Sequence, residues 1–130
     1  MSPVLRGALE KLRINLGNVP LTITRGGGCR CADYNRLKKG APTSRHITTR
    51  DQAGEAADVA VPAGVKMASM YFNAAAVREF CNGGIGIYPE RGFIHVDVRA
   101  RRTRWGYLAG KYVAFENAWN WLKAHDEGTV

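Results

Sequence analysis

The chain has 130 residues, 45% of them hydrophobic, and 19 Lys and Arg against 11 Asp and Glu give a net charge of +8. That length suits a single domain over residues 1–130 with an ordinary core, and the composition excludes collagen-like, low-complexity, coiled-coil and disordered chains. The positive balance points toward polyanions such as nucleic acid, anionic lipid or the phosphate-rich polymers of a bacterial wall.

Ser2 and Pro3 ahead of Val4, Leu5, Ala8, Leu9 and Leu12 predict a capped amphipathic helix ending near Gly17. Leu21–Thr24 alternates and predicts a short strand, broken by Gly26-Gly27-Gly28. Asp33–Lys39 predicts a short helix stopped by Gly40 and Pro42, and Ala41–Gly54 reads as a polar loop. Ala57–Val61 returns to strand character, and Ala-rich Met67–Cys81 predicts one helix stopped by Asn82-Gly83-Gly84. Ile85–Tyr88 and Phe93–Val98 predict two strands joined by the turn Pro89-Glu90-Arg91-Gly92. Ala114–His125, with Phe115, Trp119 and Leu122 at helical spacing, predicts a closing helix. This order implies an α+β domain with a small, largely antiparallel sheet flanked by helices.

No apolar stretch approaches the roughly 20 residues of a membrane helix. Met1–Gly17 lacks the continuous apolar segment of a secretory signal, so the expected location at synthesis is the cytoplasm. Arg99, Arg101, Arg102 and Arg104 form the densest basic run. With no recognised nucleic-acid motif beside it, the run reads as a solvated face or a docking surface for an anionic polymer. Cys29, Cys31 and Cys81 lack the second close pair of a structural zinc site and are expected as reduced, buried thiols.

Chemistry concentrates on few residues. His46 sits in the polar loop as Ser44-Arg45-His46, and Asp58 follows in Gly54-Glu55-Ala56-Ala57-Asp58. In Phe93-Ile94-His95-Val96-Asp97-Val98, period-2 alternation puts Phe93, His95 and Asp97 on one face and the aliphatic residues on the other. Two imidazoles and one carboxylate with an open fourth position describe a catalytic zinc site, although the same groups also serve as structural hydrogen-bonding side chains.

Three linked motifs carry a family resemblance over about residues 20–105. They are Ser44-x-His46 with Gly54-x-Ala56-x-Asp58, Gly28-Cys29-Arg30 through Asn35, and Gly84–Pro89 with Gly92–Asp97. In these the chain resembles the zinc D-alanyl-D-alanine carboxypeptidase and murein endopeptidase family, whose fold is shared with Hedgehog signalling domains. The resemblance implies that His46, Asp58 and His95 hold Zn²⁺, that Arg30 binds the peptide substrate, and that Ser44 orients its loop or contacts substrate. It also implies a peptidoglycan peptide as substrate, which makes an anionic wall a better account of the charge than nucleic acid or membrane. Delivery by a phage-type lysis route is then the expected way to the wall, with a cytoplasmic recycling role also fitting.

Two departures from the family pattern stand out. Eleven residues separate His46 from Asp58, more than many members have, so the stretch near Thr49–Ala53 must loop out. Gly92 occupies the position where many members carry a carboxylate base. Asp97 is therefore the expected general base, with a ligand-orienting role as its alternative, and Glu55 and Glu90 are poorer candidates. Gly92 also supports the rival expectation of a non-catalytic, zinc-containing wall-binding module.

Overall fold

The computed structural model describes residues 1–24 and 55–125. Among these, four helices and five strands follow in the order α1 (Pro3–Asn15), β1 (Ala56–Ala60), α2 (Met67–Ala75), α3 (Arg78–Cys81), β2 (Gly84–Tyr88), β3 (Phe93–Asp97), β4 (Thr103–Leu108), β5 (Lys111–Val113) and α4 (Phe115–His125). The predicted α+β class is the observed one. None of the helices among the described residues is long and apolar enough to cross a membrane.

Helix α1 starts as its sequence predicts. The Ser2 hydroxyl accepts the Leu5 N–H at 3.1 Å, Pro3 occupies the first turn, and Leu5, Ala8 and Leu12 form the buried stripe. The stretch expected as one helix over Met67–Cys81 is two. Val77 takes an extended conformation (φ −84°, ψ 119°), splitting α2 from α3. The bend buries both Val77 and Phe80. At roughly 1.5–3 kcal/mol for each buried large apolar side chain, this outweighs the local helical preference of Ala74-Ala75-Ala76. The strand expected at Leu21–Thr24 reduces to a bridge between Ile23 and Val59 at the sheet edge.

The sheet order is β1-β3-β2-β4-β5, antiparallel except that β2 and β4 run parallel. Strands β4 and β5 were not expected. Their hairpin turns on Ala109 and Gly110, both at positive φ, and Glu90 Oε1 accepts the Ala109 N–H at 2.7 Å. Residues paired across neighbouring strands share a face, so the register divides the sheet into two unlike surfaces. Val59, Ile94, Val96, Ile85 and Ile87 are buried against Leu5, Leu12, Met70 and Phe80 from the helices. The opposite face carries Asp58, His95, Asp97, Gly84, Gly86, Tyr88, Trp105 and Tyr107.

Within the basic run, Arg99 and Arg104 are half-buried, whereas Arg101 and Arg102 are exposed. Arg104 donates to Gly83 O at 3.0 Å, Cys81 O at 3.1 Å and Tyr71 Oη at 3.3 Å, while Arg102 donates to Cys81 O at 2.9 Å. Both guanidinium groups thus reach the Cys81 carbonyl, which the end of α3 leaves without an intrahelical partner, while Gly83 O also accepts the Thr103 N–H at 3.0 Å. Arg99 turns to Asp97, and Arg101 is exposed. Cys81 is a free, half-buried thiol rather than a fully buried one. Cys29, Cys31 and the predicted helix Asp33–Lys39 lie outside the described residues.

Candidate metal centre

Strands β1 and β3 pair so that Asp58 and His95 stand directly opposite each other. The aliphatic neighbours of each are drawn into the core, and alternation turns these two polar side chains to the other face. His95 Nδ1 lies 3.2 Å from Asp58 Oδ1, and Nε2 lies 2.7 Å from Asp97 Oδ2. An ionised carboxylate only accepts, so the imidazole presents a proton on Nε2 to Asp97, whose pKa is held low. Burial alone would depress the His95 pKa, but its hydrogen bonds to Asp58 and Asp97 prevail and raise it above the ordinary histidine value.

Asp97 is completely buried. Its Oδ1 accepts the Gly84 N–H at 2.8 Å and the Arg99 N–H at 3.1 Å, and Arg99 Nη2 donates to Oδ2 at 2.6 Å. Burial would push its pKa up, yet the bonds from His95 and Arg99 outweigh burial and hold the carboxyl well below the usual carboxylate range. Gly84 is required by this arrangement, because a Cβ there would run into the Asp97 carboxylate. The result is a carboxylate that fixes one end of the His95 ring, as outer partners of ligating histidines commonly do.

The donor set suits a zinc ion. Two ligands of a tetrahedral zinc, each about 2.0–2.1 Å from it, stand about 3.3 Å apart. The Nδ1 to Oδ1 separation of 3.2 Å fits that edge and equally fits the protonated, metal-free pair. The His95 side chain is 8% exposed and that of Asp58 18%, so the histidine is buried and the aspartate half-buried. His46, the third implied ligand, lies outside the described residues, as do Arg30 and Ser44. Among the described residues no group of three or more metal-ligating side chains converges on one point.

Gly92, at the position of the family's usual base, has φ +73° in the β2–β3 turn. A carboxylate residue there would adopt a conformation that non-glycine side chains rarely tolerate. Glu90 is tied to the β4–β5 turn through Ala109 N–H.

Sequence reasoning missed three side chains around the pair. Arg99 reads in the sequence as part of a basic run, and it lies two residues past Asp97, beyond the end of β3, so strand alternation gives no signal for its contact with Asp97. Trp105 comes from an unexpected strand, and its ring centroid lies 4.8 Å from that of His95. Tyr88 accepts the Trp105 indole N–H at 3.4 Å, and burial pushes its phenol pKa up, so it stays protonated.

A family model described as Peptidase M15 matches residues 2–97, from the first helix to the last residue of β3. No curated protein matches the chain.

Proposed function

The chain belongs to the Peptidase M15 family, and from that premise we propose that it is a zinc-dependent peptidase cleaving a peptide bond in the stem peptides or cross-links of bacterial peptidoglycan. The observation that carries this reading is the Asp58–His95 pair, opposed across β1 and β3 at 3.2 Å with Asp97 and Arg99 behind the imidazole. His46 is the third ligand in this proposal. When bound, zinc lowers the pKa of a coordinated water to about 7 and polarises a carbonyl oxygen.

The chain's own residues have separate tasks. Asp58 and His95 supply the anionic and neutral donors. Asp97 orients His95, the role its burial and full set of hydrogen bonds favour over that of a general base. A base must exchange a proton with solvent and substrate near neutral pH. A carboxylate held well below its usual range between a guanidinium and an imidazole is poorly suited to that. In this proposal Arg30 anchors the carboxylate or carbonyl of the peptide through its donor fork, and Ser44 orients its loop or contacts substrate. The net charge of +8 supports an anionic wall as the setting in which this chemistry occurs.

Digestion of defined muropeptides, followed by mass spectrometry with and without chelator, tests the proposal and identifies the bond. A chelator-sensitive mass loss at one stem or cross-link position is the expected result. Zinc-loaded protein that leaves every muropeptide intact while sedimenting with purified walls favours the non-catalytic binding module, the reading that Gly92 supports.

A further inference from the structure

We propose that Trp105 is a positioning residue of the metal centre, its indole walling one face of His95 and holding the imidazole toward Asp58. This inference rests on the metallopeptidase reading above and adds a residue eight positions beyond the end of the family match at Asp97.

An imidazole turns about its bond to Cβ with broad preferences, because that torsion joins sp³ and sp² atoms. Asp58 and Asp97 engage the two ring nitrogens of His95 and set how the ring lies along its own plane. They restrain tilting out of that plane less well, since a hydrogen bond tolerates considerable angular deviation. Trp105 adds a restraint against that tilt. Its ring meets His95 at 4.8 Å between centroids with a 54° tilt, inside the range of favourable aromatic contacts.

The indole is itself held on three sides. Register places Trp105 beside Gly86, and Gly86 beside His95, in one row across β4, β2 and β3. A Cβ on Gly86 would collide with the indole, so the glycine is the gap through which Trp105 reaches the histidine. The indole N–H donates to Tyr88 Oη at 3.4 Å, and the Arg99 guanidinium lies 5.4 Å from the ring centroid. Arg99 also grips Asp97, so one guanidinium braces both the carboxylate and the indole that hold His95. Strand β4 thereby joins the C-terminal part of the chain to the metal centre.

The test measures zinc affinity by chelator competition, and the cobalt(II) absorption spectrum, in wild type, Trp105→Phe and Trp105→Ala. Trp105→Ala should lose about tenfold or more in affinity with an altered cobalt spectrum, as loss of outer-shell support does, while Trp105→Phe should stay within about threefold. Ile14→Ala, 56% exposed on helix α1, should leave both readouts unchanged. Should Trp105→Ala fail to fold, Trp105→Leu makes the same comparison with apolar bulk but no ring. A folded ring-less variant that binds zinc like wild type, with an unchanged cobalt spectrum, overturns the role of Trp105 alone. Wild type that takes up no zinc overturns the metallopeptidase reading and this inference with it.

Discussion

Replacing Asp97 by Asn keeps the side chain's shape and removes its charge, which separates an orienting carboxylate from a spectator. In the native site Oδ1 faces the Gly84 and Arg99 N–H groups, and Oδ2 faces His95 Nε2 and Arg99 Nη2. A carboxamide has one oxygen. Placed toward Gly84, it leaves its NH2 opposed to Arg99 Nη2, donor against donor. That NH2 can bond His95 only if Nε2 becomes an acceptor, which moves the ring proton to Nδ1, the nitrogen facing Asp58. The Arg99 side chain, 24% exposed, is left without its counter-charge. Losing charged hydrogen bonds and stranding a partly buried guanidinium costs about 2–4 kcal/mol. In a domain of this size that is roughly 10 °C of Tm. A proton fixed on Nδ1 competes with metal there, so zinc affinity should drop about 10–100-fold. Thermal melts of metal-free protein followed by circular dichroism, together with chelator competition, measure both effects. Asp97→Asn that melts within about 2 °C of wild type and binds zinc equally well refutes the reasoning.

Three further outcomes follow from the same geometry. Gly84→Ala drives a Cβ into the Asp97 carboxylate and should destabilise by about 1–3 kcal/mol, read from urea unfolding. Arg104→Met removes the donors to Gly83 O and Cys81 O at the end of α3, and should cost about 1–3 kcal/mol in the same assay; an unchanged midpoint would mean that water replaces the guanidinium. Metal-free stability should be greatest between about pH 4 and pH 6.5 in melts across the pH range. Asp97, lowered in the fold, gives stability that is present above its ordinary value and lost as pH falls through the folded one. His95, raised in the fold, gives stability that is present below its ordinary value and lost as pH rises through the folded one. A stability maximum well above pH 8 would contradict the assigned proton positions.

The site is legible in the sequence to the extent that it depends on local alternation. Period 2 placed His95 and Asp97 on one face of β3, and the aliphatic residues between them account for the core face. That Asp58 stands opposite His95 depends on a non-local register, which no local pattern dictates; only the family motifs joined the two. Strands β4 and β5 escaped for a different reason. Thr103, Trp105 and Tyr107 do alternate, but Arg102 and Arg104 between and before them read as surface charge. The fold instead uses both guanidinium groups to satisfy the end of α3. The Ala109-Gly110 turn also lacks the Asn-Gly or Asp-Gly signature of a two-residue hairpin. Likewise, Ala74-Ala75-Ala76 favours continued helix, and the break at Val77 reflects burial of Val77 and Phe80 that only the assembled core makes worthwhile.

Metal analysis of the intact chain tests the central claim most directly. Protein exchanged against zinc and freed of excess should retain about one zinc per chain, as a three-ligand site predicts, and His95→Ala and Asp58→Ala should retain none while keeping the wild-type circular dichroism spectrum. Wild type that leaves the exchange with no zinc, or folded His95→Ala that keeps a full equivalent, would contradict the assignment of the Asp58–His95 pair as a metal centre.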